Sequence, residues 1–267
     1  MTFQILMSCM HRKDMQIVKD SQINCDVLVV NQCDESREEQ SSERCQRMIY
    51  TKERGLSKSR NMAIDRAWAD ICLLSDDDEL FQHDVEERVL KAYADYPEAD
   101  IIAFKVDNAD TFGYGVNNSK RIYPNHAYKC GLIGCLHISS WQISFRRASI
   151  VEKAIRFDEL MGSGTGHGAQ EESKFLIDCL RAGLTIWFVP ITVATMIDCE
   201  ESQWFKGFDK KFFIDRGWAT RRFLGWWLAT LYAFYYAWKK RSMYKQDISP
   251  MSALGCMLRG IFLTHYE

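Results

Sequence analysis

A chain of 267 residues, 47% hydrophobic and 26% charged, can bury a sizeable core, either in one domain with a tail or in two small domains. A formal net charge of -2 excludes a general nucleic-acid surface, so any basic patch must be local. The ten cysteines form no CxxC pair, no apolar run reaches the ~18 residues of a membrane crossing, and no signal peptide precedes Phe3, so a cytoplasmic protein with reduced thiols is expected.

The first elements alternate. Phe3-Gln4-Ile5-Leu6-Met7 reads as a strand and His11 to about Ser21 as a helix. Cys25-Asp26-Val27-Leu28-Val29-Val30 is a second buried strand that leaves Asn31, Gln32 and Asp34 at its carboxyl end. Residues 35–44 are strongly polar and are expected to form a solvated loop or surface helix. Met48-Ile49-Tyr50 is a short third strand. Ser57 can then cap a helix running through Met62-Ala63-Ile64, which places Arg54, Lys58 and Arg60 around a helix N-terminus. A phosphate suits such a start, and a solvated basic turn is the plainer alternative. The uninterrupted run Ile71-Cys72-Leu73-Leu74 is a buried strand, and Ser75-Asp76-Asp77-Asp78-Glu79 follows at its carboxyl end, the edge where open α/β sheets bind ligands. Adjacent carboxylates repel unless a cation or hydrogen-bond donors compensate. A hard divalent ion, Mn²⁺ or Mg²⁺, that takes one or two carboxylates and completes its shell with phosphate oxygens is the natural candidate. A solvated acidic turn before a helix starting near Asp84 is the alternative.

Val85 to Tyr96 has helical spacing and Pro97 ends it, and Ile101 to Val106 is another strand. Residues 107–129 read as loops and short strands. Leu136-His137-Ile138 and Trp141 to Arg146 read as strands that turn back toward the crevice. Residues 161–170 hold too many glycines for a regular element and read as a mobile loop. Glu171 and Glu172 then open a helix with Phe175, Leu176, Cys179 and Leu180 on one face, closed by Gly183, and two acids in a first turn suit the helix dipole. Thr185 to Pro190 is a further strand. In the aromatic tail, residues 223–238 are nearly all apolar between Arg221-Arg222 and Lys239-Lys240-Arg241. That pattern suits either a helix packed on the domain or one lying in the surface of an anionic membrane, a possible peripheral contact through 221–241.

Two of these stretches carry a family resemblance. Gly55-Leu56-Ser57-Lys58-Ser59-Arg60-Asn61, then Ala67, then Asp70 to Asp78 resembles the N-terminal half of the family 2 glycosyltransferases. Glu171-Glu172, the latter eleven residues before Gly183, is similar to the family's Glu-Asp pair. The resemblance implies a GT-A fold, a Rossmann-like, mostly parallel α/β sheet flanked by helices, over residues 1–200. The nucleotide-sugar half would span about 1–106 and the acceptor half about 107–200, with a helical, aromatic extension over 201–267. It further implies metal-dependent, inverting transfer from a nucleotide-diphosphate sugar, UDP-sugar favoured, to a saccharide or lipid-linked saccharide acceptor in cell-surface polysaccharide synthesis. Carried onto this sequence, Ser8, Gln32, Arg54 and Lys58 would stand beside the nucleotide. Asp77 or Asp76 would lie near the ribose and diphosphate, Asp78 with Asp76 would hold Mn²⁺ or Mg²⁺, and Glu172 or Glu171 would be the general base, with Glu172 preferred. Trp141 and His167 would face the acceptor.

There are departures. Asn31-Gln32-Cys33-Asp34 replaces the acidic pair that reads the nucleobase, and Ser8-Cys9-Met10-His11 replaces Pro-Thr-Tyr-Asn. Ile191 to Met196 lacks the metal-ligating histidine that many members carry, a gap His167 would have to fill unless Asp78 and the diphosphate suffice. A sugar-nucleotide nucleotidyltransferase shares the crevice, but Ser8 to Lys13 offers none of its expected glycines. A non-catalytic sugar-binding protein on the same fold is the remaining class, and the presence of both acidic motifs argues against it.

Overall fold

The structure, a computed structural model, describes residues 1–41, 45–109, 121–167, 170–197, 205 and 207–263. Its centre is a mixed sheet. The apolar runs of the N-terminal part form β1 (Phe3–Met10), β2 (Val27–Gln32), β4 (Gln46–Thr51) and β5 (Ile71–Ser75), all parallel, with Ile5 opposite Val27, Phe3 opposite Ile71 and Val27 opposite Gln46. Strands this continuously apolar need cover on both faces. They have it: Leu6, Leu28 and Leu74 face one cluster with Ala63, Ile64 and Phe175, while Ile5, Val27 and Leu73 face another with Ile17, Val89 and Tyr93. The helices responsible are α2 (Leu56–Arg66) on the first face and α1 (Gln16–Asp20) with α3 (Val85–Asp95) on the second.

β3 (Arg37–Gln40) corrects the expectation of a loop or surface helix at 35–44. It pairs antiparallel with β4 at the sheet edge, with the Arg37 guanidinium 3.4 Å over the Tyr50 ring. Its charges are those of an edge strand that must not recruit another chain. Residues 42–44 of that stretch lie outside the described residues.

Past β5 the sheet changes direction. β6 (Glu79–Phe81), β7 (Ile101–Asp107), β8 (Tyr128–Lys129), β9 (Ile143–Arg146) and β10 (Ile186–Met196) complete it in the order β3-β4-β2-β1-β5-β9-β7-β10-β6, with β8 also on β10. β9 runs antiparallel between β5 and β7, so both halves of the chain share one continuous sheet. The expected strand at 136–138 is absent. That region holds the short helix α4 (Leu132–Cys135) and a 3₁₀ turn, Ser140–Gln142, in which the Ser139 N–H donates to Gln142 Oε1 at 2.9 Å. Helices α5 (Arg147–Glu152) and α6 (Glu171–Arg181) follow.

The tail is helical. α7 (Lys210–Lys239) is capped by Asp209, which accepts from the Phe212 N–H at 2.7 Å, and it breaks direction at Gly225, whose φ of 73° is closed to most side chains. α8 (Arg241–Tyr244) and α9 (Pro250–Phe262) turn back along it. The two long helices meet backbone to backbone. A Cβ at Gly217 would lie 2.1 Å from the Met257 carbonyl oxygen and one at Gly260 2.0 Å from that of Ile214, so larger residues there would push α9 off α7. Phe213 and Phe223 of α7 join the cluster that covers α6, and Arg222 pairs with Asp158 at 2.8 Å. One face of the tail therefore packs on the α/β unit.

Candidate active site

The acid turn sits at the carboxyl end of β5, and its members have different fates. Asp76 is held by protein donors: Arg60 Nη2 reaches its Oδ1 at 2.9 Å and Ser140 Oγ its Oδ2 at 3.4 Å. Asp77 pairs with Arg12 Nη2 at 2.8 Å, on a loop that Asn31 fastens by accepting from the Arg12 N–H at 3.1 Å and donating to its carbonyl at 2.7 Å. Asp78 has no such support. Its Oδ1 is buried without a hydrogen-bond partner, and burial together with the charges of Asp76 and Asp77 pushes its carboxyl well above the ordinary range. Glu79, fully buried, accepts from the Asp76 N–H at 3.0 Å through Oε2, while Oε1 is orphaned and burial again raises its pKa.

A buried carboxylate oxygen with no donor calls for an explanation, and a bound cation would supply one. Asp78 fits a divalent ion on this count, whereas both oxygens of Asp76 are already engaged. Among the described residues no three His, Cys, Asp or Glu side chains form a metal cage, so His167 does not join Asp76 and Asp78 in one. The His167 ring instead packs on Trp218 of α7 at 4.7 Å, where burial chiefly holds its pKa down against the pull of Asp215. One protein carboxylate is enough for Mn²⁺ or Mg²⁺ when phosphate oxygens and water complete the shell.

The start of α2 differs from the sequence reading. Its N-cap is Gly55 rather than Ser57. The Gly55 N–H donates to Gln32 Oε1 at 2.7 Å, the Leu56 N–H to the Ser163 carbonyl at 2.9 Å, and Ser57 Oγ to the Met161 carbonyl at 2.7 Å. The glycine-rich loop therefore docks on the helix start. It comes so close that a Cβ at Gly164 would lie 3.3 Å from Gly55 Cα, and its residues 168 and 169 lie outside the described residues. Free helix-start N–H groups seek acceptors, and here loop carbonyls supply them. Ser8 Oγ accepts from Ser59 Oγ at 2.8 Å, so Ser8 and Gln32 both fasten α2 to the sheet. Arg54 is engaged by Asp34 at 2.5 Å and by the Cys33 carbonyl at 2.8 Å. Lys58 is partly exposed and makes no ion pair among the described residues.

Arg60 is the residue that the sequence reading misplaced. It is only 2% exposed, and its two Nη atoms reach Asp76 Oδ1 and Glu171 Oε1, each at 2.9 Å. It thus ties the acid turn of one half to the first turn of α6 in the other. The signal was available: Arg60 lies one turn before Ala63 and Ile64, so helical phase alone puts it on the buried face. The bridge also separates the two glutamates. Glu171 is committed to Arg60, while Glu172 makes no bond to it and is pushed up in pKa by burial and by the neighbouring Glu171. Trp141 follows Ser140 beside this cluster, partly buried, with its Nε1 lacking a partner and Arg121 6.0 Å above its ring.

A mostly parallel sheet with a carboxylate turn at its carboxyl edge, facing a second acidic helix start, is an architecture of the GT-A class. Residues 16–153, just over half of the chain, match the model of glycosyl transferase family 2, and the protein belongs to that family of glycosyltransferases. Its fold is similar to that of S. aureus TarS 1-349 in complex with UDP-GlcNAc, with a TM-score of 0.66 at 14% identity over 98% of this chain and 82% of that one. TarS 1-349 in complex with UDP gives 0.64 at 15% over 98% and 81%, and the longer TarS structure 0.63 at 15% over 97% and 49%. No curated protein matches the chain by sequence.

Proposed function

We propose that the protein is an inverting, metal-dependent glycosyltransferase that moves a sugar from a UDP-sugar to a hydroxyl acceptor, a saccharide or lipid-linked saccharide, in cell-surface polysaccharide synthesis. The observation that carries this reading is the partition of four carboxylates by one buried guanidinium. Asp76 and Glu171 share the Arg60 guanidinium, whereas Asp78 and Glu172 make no ion pair among the described residues and have their pKa values pushed up by burial and by neighbouring carboxylates. The UDP-GlcNAc complex of TarS, on the same fold, favours uracil as the donor's base. Residues 1–106 form the donor half and 107–200 the acceptor half, with 201–267 as the extension.

A sugar hydroxyl titrates far above neutrality, so its attack on the anomeric carbon needs a carboxylate to accept the proton as the bond forms. Glu172 is that base, and its raised pKa makes it a stronger one than an exposed glutamate. Glu171, locked to Arg60, fixes the first turn of α6 and hence where Glu172 points. Arg12 and Asp77 lie at the donor side, and Lys58 is the cation available there for phosphate. Trp141 offers a ring face to the acceptor. A cation held by Asp78 would neutralise the charge that develops on the departing diphosphate. With base and leaving group on opposite sides of the sugar, a single displacement inverts the anomeric centre.

The test is UDP release from UDP-glucose, UDP-galactose and their N-acetylated counterparts with Mn²⁺, followed across pH. One donor should be turned over with inversion, and kcat/KM should fall on acidification at a pH above the ordinary carboxylate range, because Glu172 must lose its proton to act. Retention of configuration, or no turnover of any donor, would contradict the proposal.

A further inference from the structure

The part of α7 beyond Gly225, residues 226–239, is apolar all round. Its inner side, Ala229, Ala233, Tyr236 and Ala237, is buried. Its outer side shows Trp226, Trp227, Leu231, Phe234, Tyr235 and Trp238, each between 45% and 61% exposed. No charged residue occurs between Arg222 and Lys239. A helix without a polar face is normally covered, and an exposed patch of this kind marks a binding surface.

The charges around the patch indicate what covers it. Residues 216–246 contain seven Lys and Arg and no Asp or Glu, in a chain whose net charge is -2. Some of those cations have work inside the fold: Arg222 pairs with Asp158, and Arg221 donates to the Ile261 carbonyl at 2.7 Å. Lys239, Arg241 and Lys245 are exposed. Lys239 and Arg241 share the aromatic side, because Tyr235, Trp238, Lys239, Arg241 and Ser242 line one open cleft, and Arg241 Nη1 donates to the Trp238 carbonyl at 3.1 Å; Lys245 follows one turn on. Tryptophan and tyrosine beside basic residues are the composition of a membrane-water boundary. The geometry excludes a crossing. The segment spans about 20 Å at 1.5 Å per residue, short of the ~30 Å hydrocarbon layer, and among the described residues no helix is long and apolar enough to cross a membrane.

We infer that this face docks in the plane of an anionic lipid bilayer, with its aromatic side chains in the headgroup boundary and Lys239, Arg241 and Lys245 against lipid phosphates. The inference is independent of the transferase reading, and its test uses no activity. Flotation of the full chain with vesicles of phosphatidylcholine and phosphatidylglycerol should carry the protein upward, with a blue shift of tryptophan emission, and vesicles of phosphatidylcholine alone should bind it at least tenfold more weakly. Each exposed cation is worth roughly fivefold in partitioning, so Lys239→Gln/Arg241→Gln/Lys245→Gln should weaken binding about 100-fold. Trp227→Ser/Leu231→Ser/Phe234→Ser, checked for an unchanged thermal melt, should abolish it. Wild-type protein that stays at the bottom of the gradient overturns the inference. So does a wild-type oligomer that ignores vesicles and falls to monomers in the serine variant, since the face would then belong to a second copy of the chain.

Discussion

Arg60→Met is expected to cost roughly 3–5 kcal/mol of folding stability, measured by urea unfolding, because it strands two carboxylates that now share one guanidinium. Methionine fills much of the same volume, so the loss is electrostatic rather than a cavity. Asp76 and Glu171, with 25% and 6% side-chain exposure, would be left near each other and near Asp78 and Glu172, with little solvent to screen them. The cost is that of two like charges held together out of water without the cation between them. Adding Glu171→Gln removes one stranded charge and should recover part of the loss, a coupling in the range of about 0.5–3 kcal/mol. A deficit under about 1 kcal/mol would mean that the bridge does not organise the site.

Glu172→Gln should separate stability from activity. Activity should fall by about 10²–10⁴, the usual contribution of a positioned base. Stability at neutral pH should rise, by about 1–2 kcal/mol, since the neutral amide avoids the burial penalty and the repulsion from Glu171 that push the acid's pKa up. Part of the Glu172 side chain reaches solvent, which screens that repulsion. The sign follows from linkage: with its folded pKa raised, Glu172 destabilises the fold progressively as pH climbs above the ordinary carboxylate value, so the variant's advantage should vanish near pH 4 and grow toward pH 8. Glu171→Gln should behave oppositely, losing stability because Arg60 keeps only one of its partners. A Glu172→Gln protein that is less stable and still active would make Glu172 a structural residue.

Much of this was legible in the sequence, for definite reasons. Ile71 to Leu74 is too apolar to be anything but an inner strand, so the acids after it had to lie at a sheet edge. The glycines before Glu171 and the spacing of Phe175, Leu176 and Cys179 fixed the start and buried face of α6. What resisted reading depends on contacts distant in sequence. Arg60 and Glu171 are 111 residues apart, and charge alone suggested a ligand for Arg60 where an internal carboxylate was waiting. Gln32, at the end of an inner strand, has the placement of a nucleotide contact in the sequence, but its Oε1 accepts from the Gly55 N–H, a partner 23 residues away. The antiparallel insertion of β9 leaves no mark in local periodicity, because a strand covered on both faces reads alike in either direction. In the tail, periodicity did not choose between packing on the domain and facing outward, since both sides of 226–239 are apolar.

Calorimetric titration with UDP, with and without Mn²⁺, on wild type and Asp78→Ala bears most directly on the site as a metal-bridged nucleotide pocket. Wild type should bind UDP with Mn²⁺ and at least tenfold more weakly without it, and Asp78→Ala should bind equally weakly in both conditions while remaining folded. Tight binding that is indifferent to Mn²⁺ and unchanged in Asp78→Ala would contradict the assignment of Asp78. Absence of UDP binding in every condition would contradict the pocket itself.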